Sequence, residues 1–284
     1  MHLLHDITVA FSELAFRKIQ SIRDDVVSEK NYMNLLEEVF LLARKEYQFI
    51  YRRKRKGEKK GLTFLAHNGK KAAVLFSANQ GLFGAITSQV FDKFSEFVTG
   101  SEYEVAIIGS VGVSMFKSRF PNRPFTKFDL PDLNAPGALL GPIVSHLAAY
   151  DEINIFHGTF VSALRQDAGK YTISSTLKED QAEIKTGERY YFEPSLEDVL
   201  RFFESEMFYS QLLSVSWQSM LAKLGSRAVS MDQASQRIQK ETEKKSVIFR
   251  KLLKRDHEKK QGSLLVAANS VSYTHLTLPT KRIV

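Results

Sequence analysis

The chain contains no cysteine. That excludes a disulfide framework, a thiolate-ligated metal and a thiol nucleophile, and it fits a reducing compartment. No uninterrupted apolar stretch approaches the ~18 residues expected of a membrane-spanning helix. The opening MHLLHDITVAF has neither the basic start nor the small-residue cleavage site of a secretory signal. Proline is scarce and unevenly placed, at 121, 124, 131, 136, 142, 194 and 279, with none in 1–120 and none in 195–270. Proline breaks helix interiors, so long helices are permitted at both ends and excluded from the middle. Catalytic signatures are also missing. There is no HExxH and no GxSxG, and apart from His2 and His5 no two histidines stand at ligand spacing. His146 and His157 therefore read as structural residues. Glu193, beside Pro194, is read as a lone carboxylate, and a paired-carboxylate catalyst cannot be argued from it.

What remains is ordinary globular material: 284 residues, 43% apolar and 25% charged, enough for one or two domains with a sizeable core. The net charge of +8 points to an anionic partner, whether nucleic acid, an acidic protein surface or anionic lipid. Leu4, Ile7, Phe11, Leu14, Ile19, Ile22, Val26, Tyr32, Leu35, Leu36, Val39 and Leu42 recur at helical spacing, which predicts a helix over residues 1 to about 51. A basic run, Arg52–Lys60, ends it. From Trp217 through Leu221, Leu224, Ala228, Met231, Ser235, Ile238, Thr242, Lys245 and Phe249 to Leu252 the spacing alternates between four and three. This predicts a coiled-coil helix over about 206–268. Such a seam cannot bury itself, and the N-terminal helix is its natural antiparallel partner.

The middle reads differently. Ala72–Phe76, Glu104–Ile108 and Ile153–Phe156 are short apolar runs, with helical patterns at Leu82–Val98, Val111–Phe120 and Leu139–Tyr150. Strands alternating with helices predict a mostly parallel α/β sheet. Tyr171–Leu177 and Tyr190–Phe192 are expected as an antiparallel edge pair. The resulting expectation is one α/β domain inserted between two long terminal helices. Its parts are an N-terminal helix over 1–60, an α/β domain over 61–205, a C-terminal helix over 206–270 and a tail over 271–284.

Three segments carry possible chemistry. Ser77–Gly84 (SANQGLFG) follows the first strand and precedes a helix, a place where backbone N–H groups cradle phosphate. It is neither GxGxxG nor GxxxxGK[ST], so a tight turn is the alternative. Arg52–Lys60 is either a nucleic-acid patch or a solvated helix end facing an acidic partner. Leu221–Ile238 is rich in Ala, Ser and Gly, which permits close helix–helix approach. The tail Val271–Thr280 resembles the translation of a transposase-type sequencing-library adapter, with a short natural tail as the alternative. Without Lys281 and Arg282 the charge would be +6, from 38 cations and 32 acids. On that reading the natural chain continued past Ser270.

The blocks together resemble the gamma subunit of the rotary F-type ATP synthase. Ser77–Ile86 is similar to the family's strand-loop block through Ser77, Gly81, Leu82 and Gly84, although Asn79 and Gln80 stand where an acid and Arg are usual. Phe192–Leu200 (FEPSLEDVL), with Glu193, Pro194 and Ser195, is the most specific match. Lys223–Ser235 resembles the C-terminal block, with Arg227 and Met231 in register, Lys223 where an acid is usual and Asp232 where Lys is usual. Ala10–Gln20 matches weakly, and the first dozen or so residues of the family's helix are missing.

The resemblance implies a Rossmann-like domain between helices that pair as an antiparallel coiled coil. It implies a non-catalytic rotor stalk without a cofactor or metal of its own, carrying torque between an ion-driven membrane ring and the catalytic hexamer. The implied partners are the alpha and beta subunits, the epsilon subunit and the rotor ring, at the cytoplasmic face of a bacterial plasma membrane. Arg17, Lys18, Arg227 and Met231 are the expected partner contacts, with Arg227 reaching outward from the helix pair. Two other readings stay open: a nucleotide-binding α/β enzyme with helical arms, and a basic coiled-coil nucleic-acid binder.

Overall fold

A computed structural model describes residues 2–52, 68–134, 137–174 and 191–276. Most of the basic run and residues 175–190 and 277–284 lie outside them. Two compact units emerge, one from Ala10 to Met231 and the other from the chain's two ends, up to Val9 and from Asp232 onward.

The first unit is built on a five-stranded sheet of order β3-β2-β1-β4-β5, with β1 Lys71–Phe76, β2 Glu104–Ile108, β3 Thr126–Phe128, β4 Glu152–Phe160 and β5 Gln166–Ser174. β1 pairs in parallel with both β2 and β4, β2 in parallel with β3, and β5 closes the edge antiparallel to β4. The expected α/β class and parallel centre hold. β1 is central and covered on both faces, which is why it reads as an unbroken apolar run. Ala72, Val74 and Phe76 face α4 (Gly141–Leu147) and the start of α5 (Leu196–Leu276), among Leu140, Ile143, Phe208 and Leu212. Ala73 and Leu75 face α2 (Ile86–Val98) and α3 (Ser110–Arg119), among Val90, Phe94 and Phe116.

α1 (His2–Arg52) packs antiparallel to α5 within this unit. Ala15 and Ile22 meet Trp217, Leu221 and Leu224, while Leu36, Phe40 and Ala43 meet Leu200 and Met207. Ser12 donates to the carbonyl of Ala228, so rising numbers on α1 meet falling numbers on α5.

Several boundaries differ from expectation. α2 starts at Ile86 rather than Leu82, because Leu82 and Gly84 take positive φ and hold the chain in a turn. α4 is shorter than Leu139–Tyr150, being preceded by a 3-10 turn at Gly137–Leu139. The edge pair is β4 with β5, and the expected Tyr190–Phe192 strand is absent: Tyr191 and Phe192 are irregular and Tyr190 lies outside the described residues. α5 begins ten residues before the expected 206, since Ser195 caps it: its Oγ accepts from the Asp198 N–H at 3.1 Å. The helix also runs six residues into the tail, to Leu276, no proline standing before Pro279.

Candidate functional site

Open α/β sheets take their ligands at the carboxyl edge of the parallel strands. After β1 the chain turns through Ser77–Gly84. Asn79 anchors the turn: its Nδ2 donates to the Leu130 carbonyl at 2.8 Å, and its Oδ1 accepts from the Ser110 N–H and hydroxyl. The backbone N–H groups of Asn79 and Gln80 converge as a phosphate cradle would, but on the Asp132 carboxylate of this same chain, at 2.8 and 2.9 Å. The anion site of the loop is filled internally.

The other side of the turn has the opposite polarity. Leu82 at φ 66° and Gly84 at φ 64° curl the backbone so that the Gly81 and Leu82 carbonyls point inward. Both accept from Arg227 of α5, at 3.3 and 3.2 Å. The guanidinium lies 4.0 Å from the centre of the Phe83 ring, a cation–π contact. One turn earlier, Lys223 Nζ sits 2.7 Å from Asp132 Oδ1 and donates to the Ser77 carbonyl. Asp132 thus accepts an ammonium on one oxygen and two backbone amides on the other. Its side chain is 3% exposed and that of Lys223 12%.

Burial pushes the Lys223 amine below its ordinary value; the Asp132 carboxylate pulls it back up, and Arg227 pushes it further down. Burial likewise lowers Arg227 from its ordinary value, with Asp132 opposing. The joint holds two cations and one carboxylate, and three carbonyls and an aromatic face offset the excess.

α5 itself fills the edge. A Cβ on Gly84 would stand 2.9 Å from the Ser226 carbonyl oxygen, and one on Gly158 of β4 2.7 Å from the Ala222 Cβ. These glycines admit a helix, not a phosphate. The crevice left between Phe76, Ser77, Leu130, Met220 and Lys223 has room for about one water molecule. The Ser77 hydroxyl is buried beside it without a hydrogen-bond partner. Among the described residues no cluster of His, Asp and Glu could hold a metal.

The expected site residues are therefore brought together only in part. Ser77, Gly81, Leu82, Gly84 and Arg227 meet in this joint. Glu193, Pro194 and Ser195 lie apart at the start of α5, Glu193 and Pro194 exposed and Ser195 spent on capping. Arg17 is exposed, and Lys18 and Met231 are half-buried. Arg227 does not reach outward as expected. It is 6% exposed, because the curled turn offers it two carbonyls and a ring on the inner side. Sequence reasoning missed Asp132 altogether. It lies 91 residues from Lys223 in a proline-flanked loop, and no spacing rule links the two.

Among the described residues, the ligand edge of the sheet is occupied by the protein's own α5, which makes the sheet a helix-holding scaffold. The chain belongs to the ATP synthase family, whose model matches residues 2–253. Proteins called ATP synthase gamma chain are its relatives. That of Geobacter metallireducens is 23% identical over 81% of this chain and 80% of its own length. That of Staphylococcus carnosus is 24% identical over 46% of this chain, which spans half of that relative's length. Among solved structures, the central stalk and c-ring of the Tetrahymena thermophila mitochondrial ATP synthase superposes with a TM-score of 0.58 at 16% identity, covering 81% of this chain and 99% of that one. A chain of the Euglena gracilis mitochondrial enzyme gives 0.56 at 14% identity, covering 94% and 98%. The family read from the motif blocks is borne out, and the solved structures share the fold.

Proposed function

We propose that this chain is the gamma subunit of a rotary F-type ATP synthase, a non-catalytic stalk that carries torque between an ion-driven membrane ring and the catalytic hexamer. The observation that carries the reading is the filled carboxyl edge. Asp132 takes the loop amides, Arg227 takes the loop carbonyls, and α5 occupies the space a nucleotide would need. The gamma-chain relatives support it. A stalk acts by differential binding: each orientation favours one conformation of the surrounding catalytic subunits.

On this reading the partners are the alpha and beta subunits, the epsilon subunit and the rotor ring. The location is peripheral, at the cytoplasmic face of a bacterial plasma membrane. No helix among the described residues is long and apolar enough to cross a membrane. Arg17, Lys18 and Met231 are proposed contacts with the hexamer, the two cations suiting an acidic loop. Arg227 is reassigned to the internal joint.

The test is reconstitution of the full chain with its cognate alpha and beta subunits. A hexamer that retains the chain through gel filtration, with ATP hydrolysis well above that of alpha and beta alone, is the expected result. Absence of the chain from the hexamer, or binding of ATP to the isolated chain at micromolar concentration, would overturn the reading.

A further inference from the structure

Between Val215 and Ala228 every residue of α5 is buried except Gln218 and Lys223, which are half-buried. A helix buried all round is normally apolar all round. This stretch instead carries Gln218, Ser219, Lys223, Ser226 and Arg227 through the protein.

Its surroundings differ by side. At ~100° per residue, Trp217, Leu221, Leu224 and Ala228 form one side, facing Ala15 and Ile22 of α1. Gln218 and Gly225 form a second, facing the β4–β5 hairpin: Gln218 Oε1 accepts from the Phe160 N–H at 3.3 Å, and the Gln166 amide, held by the Ser162 and Ala163 carbonyls, lies over Gly225. Lys223 and Arg227 form a third, roughly 170° round from the second, and are anchored to Asp132 and to the turn after β1.

We infer that residues 215–228 of α5 sit in a collar, and that the Lys223–Asp132 pair with Arg227 is the key that stops α5 from turning about its own axis when torque passes between helix and sheet. The inference rests on the stalk function proposed above. Apolar contacts on the α1 side resist separation but are non-directional. Hydrogen bonds to a fixed carboxylate and fixed carbonyls are directional, and they stand on the side opposite the hairpin's polar contacts. Rotation by one residue would carry both cations out of reach of their acceptors. Lys223, Asp132 and Arg227 are thus positioning residues for torque transfer.

The chain has no cysteine, so the exposed Glu102, in the loop before β2, can become a unique attachment point as Glu102→Cys. In the complex with alpha and beta subunits, a bead on that cysteine reports torque delivered to the sheet, while ATP hydrolysis without a bead reports the unloaded motor. Lys223→Met and Asp132→Asn should cut stall torque at least two-fold and leave assembly and unloaded hydrolysis unchanged. Amide exchange at Asn79 and Gln80 in the free chain should rise at least ten-fold in Asp132→Asn. Should the single variants fold poorly, Lys223→Met/Asp132→Asn removes both charges and keeps a side-chain oxygen to accept from the loop amides, and the same torque loss is expected.

Full stall torque in a folded, assembled variant would overturn the proposal while leaving the stalk function intact. A parent chain that never assembles or turns the bead would instead bring down the stalk function, and the torque role with it.

Discussion

The residues of the joint make sharp demands on the backbone. Gly84 combines φ of 64° with the Ser226 carbonyl oxygen 2.9 Å from where a Cβ would stand. Gly84→Ala must strain the turn and displace α5, so a loss of about 2–4 kcal/mol is expected, combining an adverse backbone conformation with overpacking. Urea unfolding of the full chain checks this, and an unchanged midpoint would show that the turn does not hold the helix tightly. His157 gives the pH counterpart. It is 6% exposed on β4, and burial lowers its pKa, only partly offset by its ring nitrogen 3.0 Å from the Gly158 carbonyl oxygen. The fold therefore prefers the neutral imidazole, and the unfolded chain binds the proton more readily. Stability is then full above the unfolded value near 6.5 and declines as pH falls below it. Urea midpoints from pH 8 to pH 5 should fall in the parent chain and flatten in His157→Gln. An equal slope in both would assign the acid sensitivity elsewhere. That His157 is structural was legible from its isolation; that Asp132 and Lys223 pair was not, since only the folded topology joins them.

Elements were legible where burial made their pattern one-sided or total. β1 and β2 were readable because both faces are covered and every position but the first is apolar and buried. β5 was placed only roughly: it is an edge strand, and QDAGKYTIS alternates weakly between exposed and half-buried positions. β3 was missed because three residues with little burial leave no pattern. The start of α5 lies inside the FEPSLEDVL block, whose family resemblance masks its capping chemistry. Read chemically, Ser195 followed three residues later by Asp198 is a capping arrangement, with Glu197 and Asp198 favourably placed in the first turn. Ser195→Ala should therefore cost ~1 kcal/mol, seen as a lower urea midpoint, and amide exchange should quicken at Asp198. If exchange there is unaltered, the cap does not set where the helix begins.

At the scale of the molecule, the two units should differ in how firmly they are held. The unit from Ala10 to Met231 encloses two sheet-face cores and the α1–α5 interface. The stretch of α5 beyond Asp232 is different: Val247, Ile248, Phe249, Leu252, Leu253, Leu264, Leu265 and Val266 are all exposed there. The heptad seam was legible through this stretch, yet Phe249 and Leu252 on it are exposed, because spacing says that a seam wants a partner and not which partner covers it. A helix with so little burial draws few tertiary contacts to stabilise it, and opening there costs little free energy. In the isolated chain, a protease cutting after Lys or Arg should cut at Arg237 and beyond before it cuts within the sheet core of β1 to β4. Assembly with alpha and beta subunits should slow cleavage in 237–260 by ten-fold or more, since the proposed hexamer would cover this stretch. Deleting Val271–Val284 should change neither the core's resistance nor its urea midpoint. Cleavage within β1 to β4 before any cut beyond Asp232 would invert the order of stability derived from burial, and undiminished cleavage in the complex would mean that the exposed seam is not what the hexamer holds.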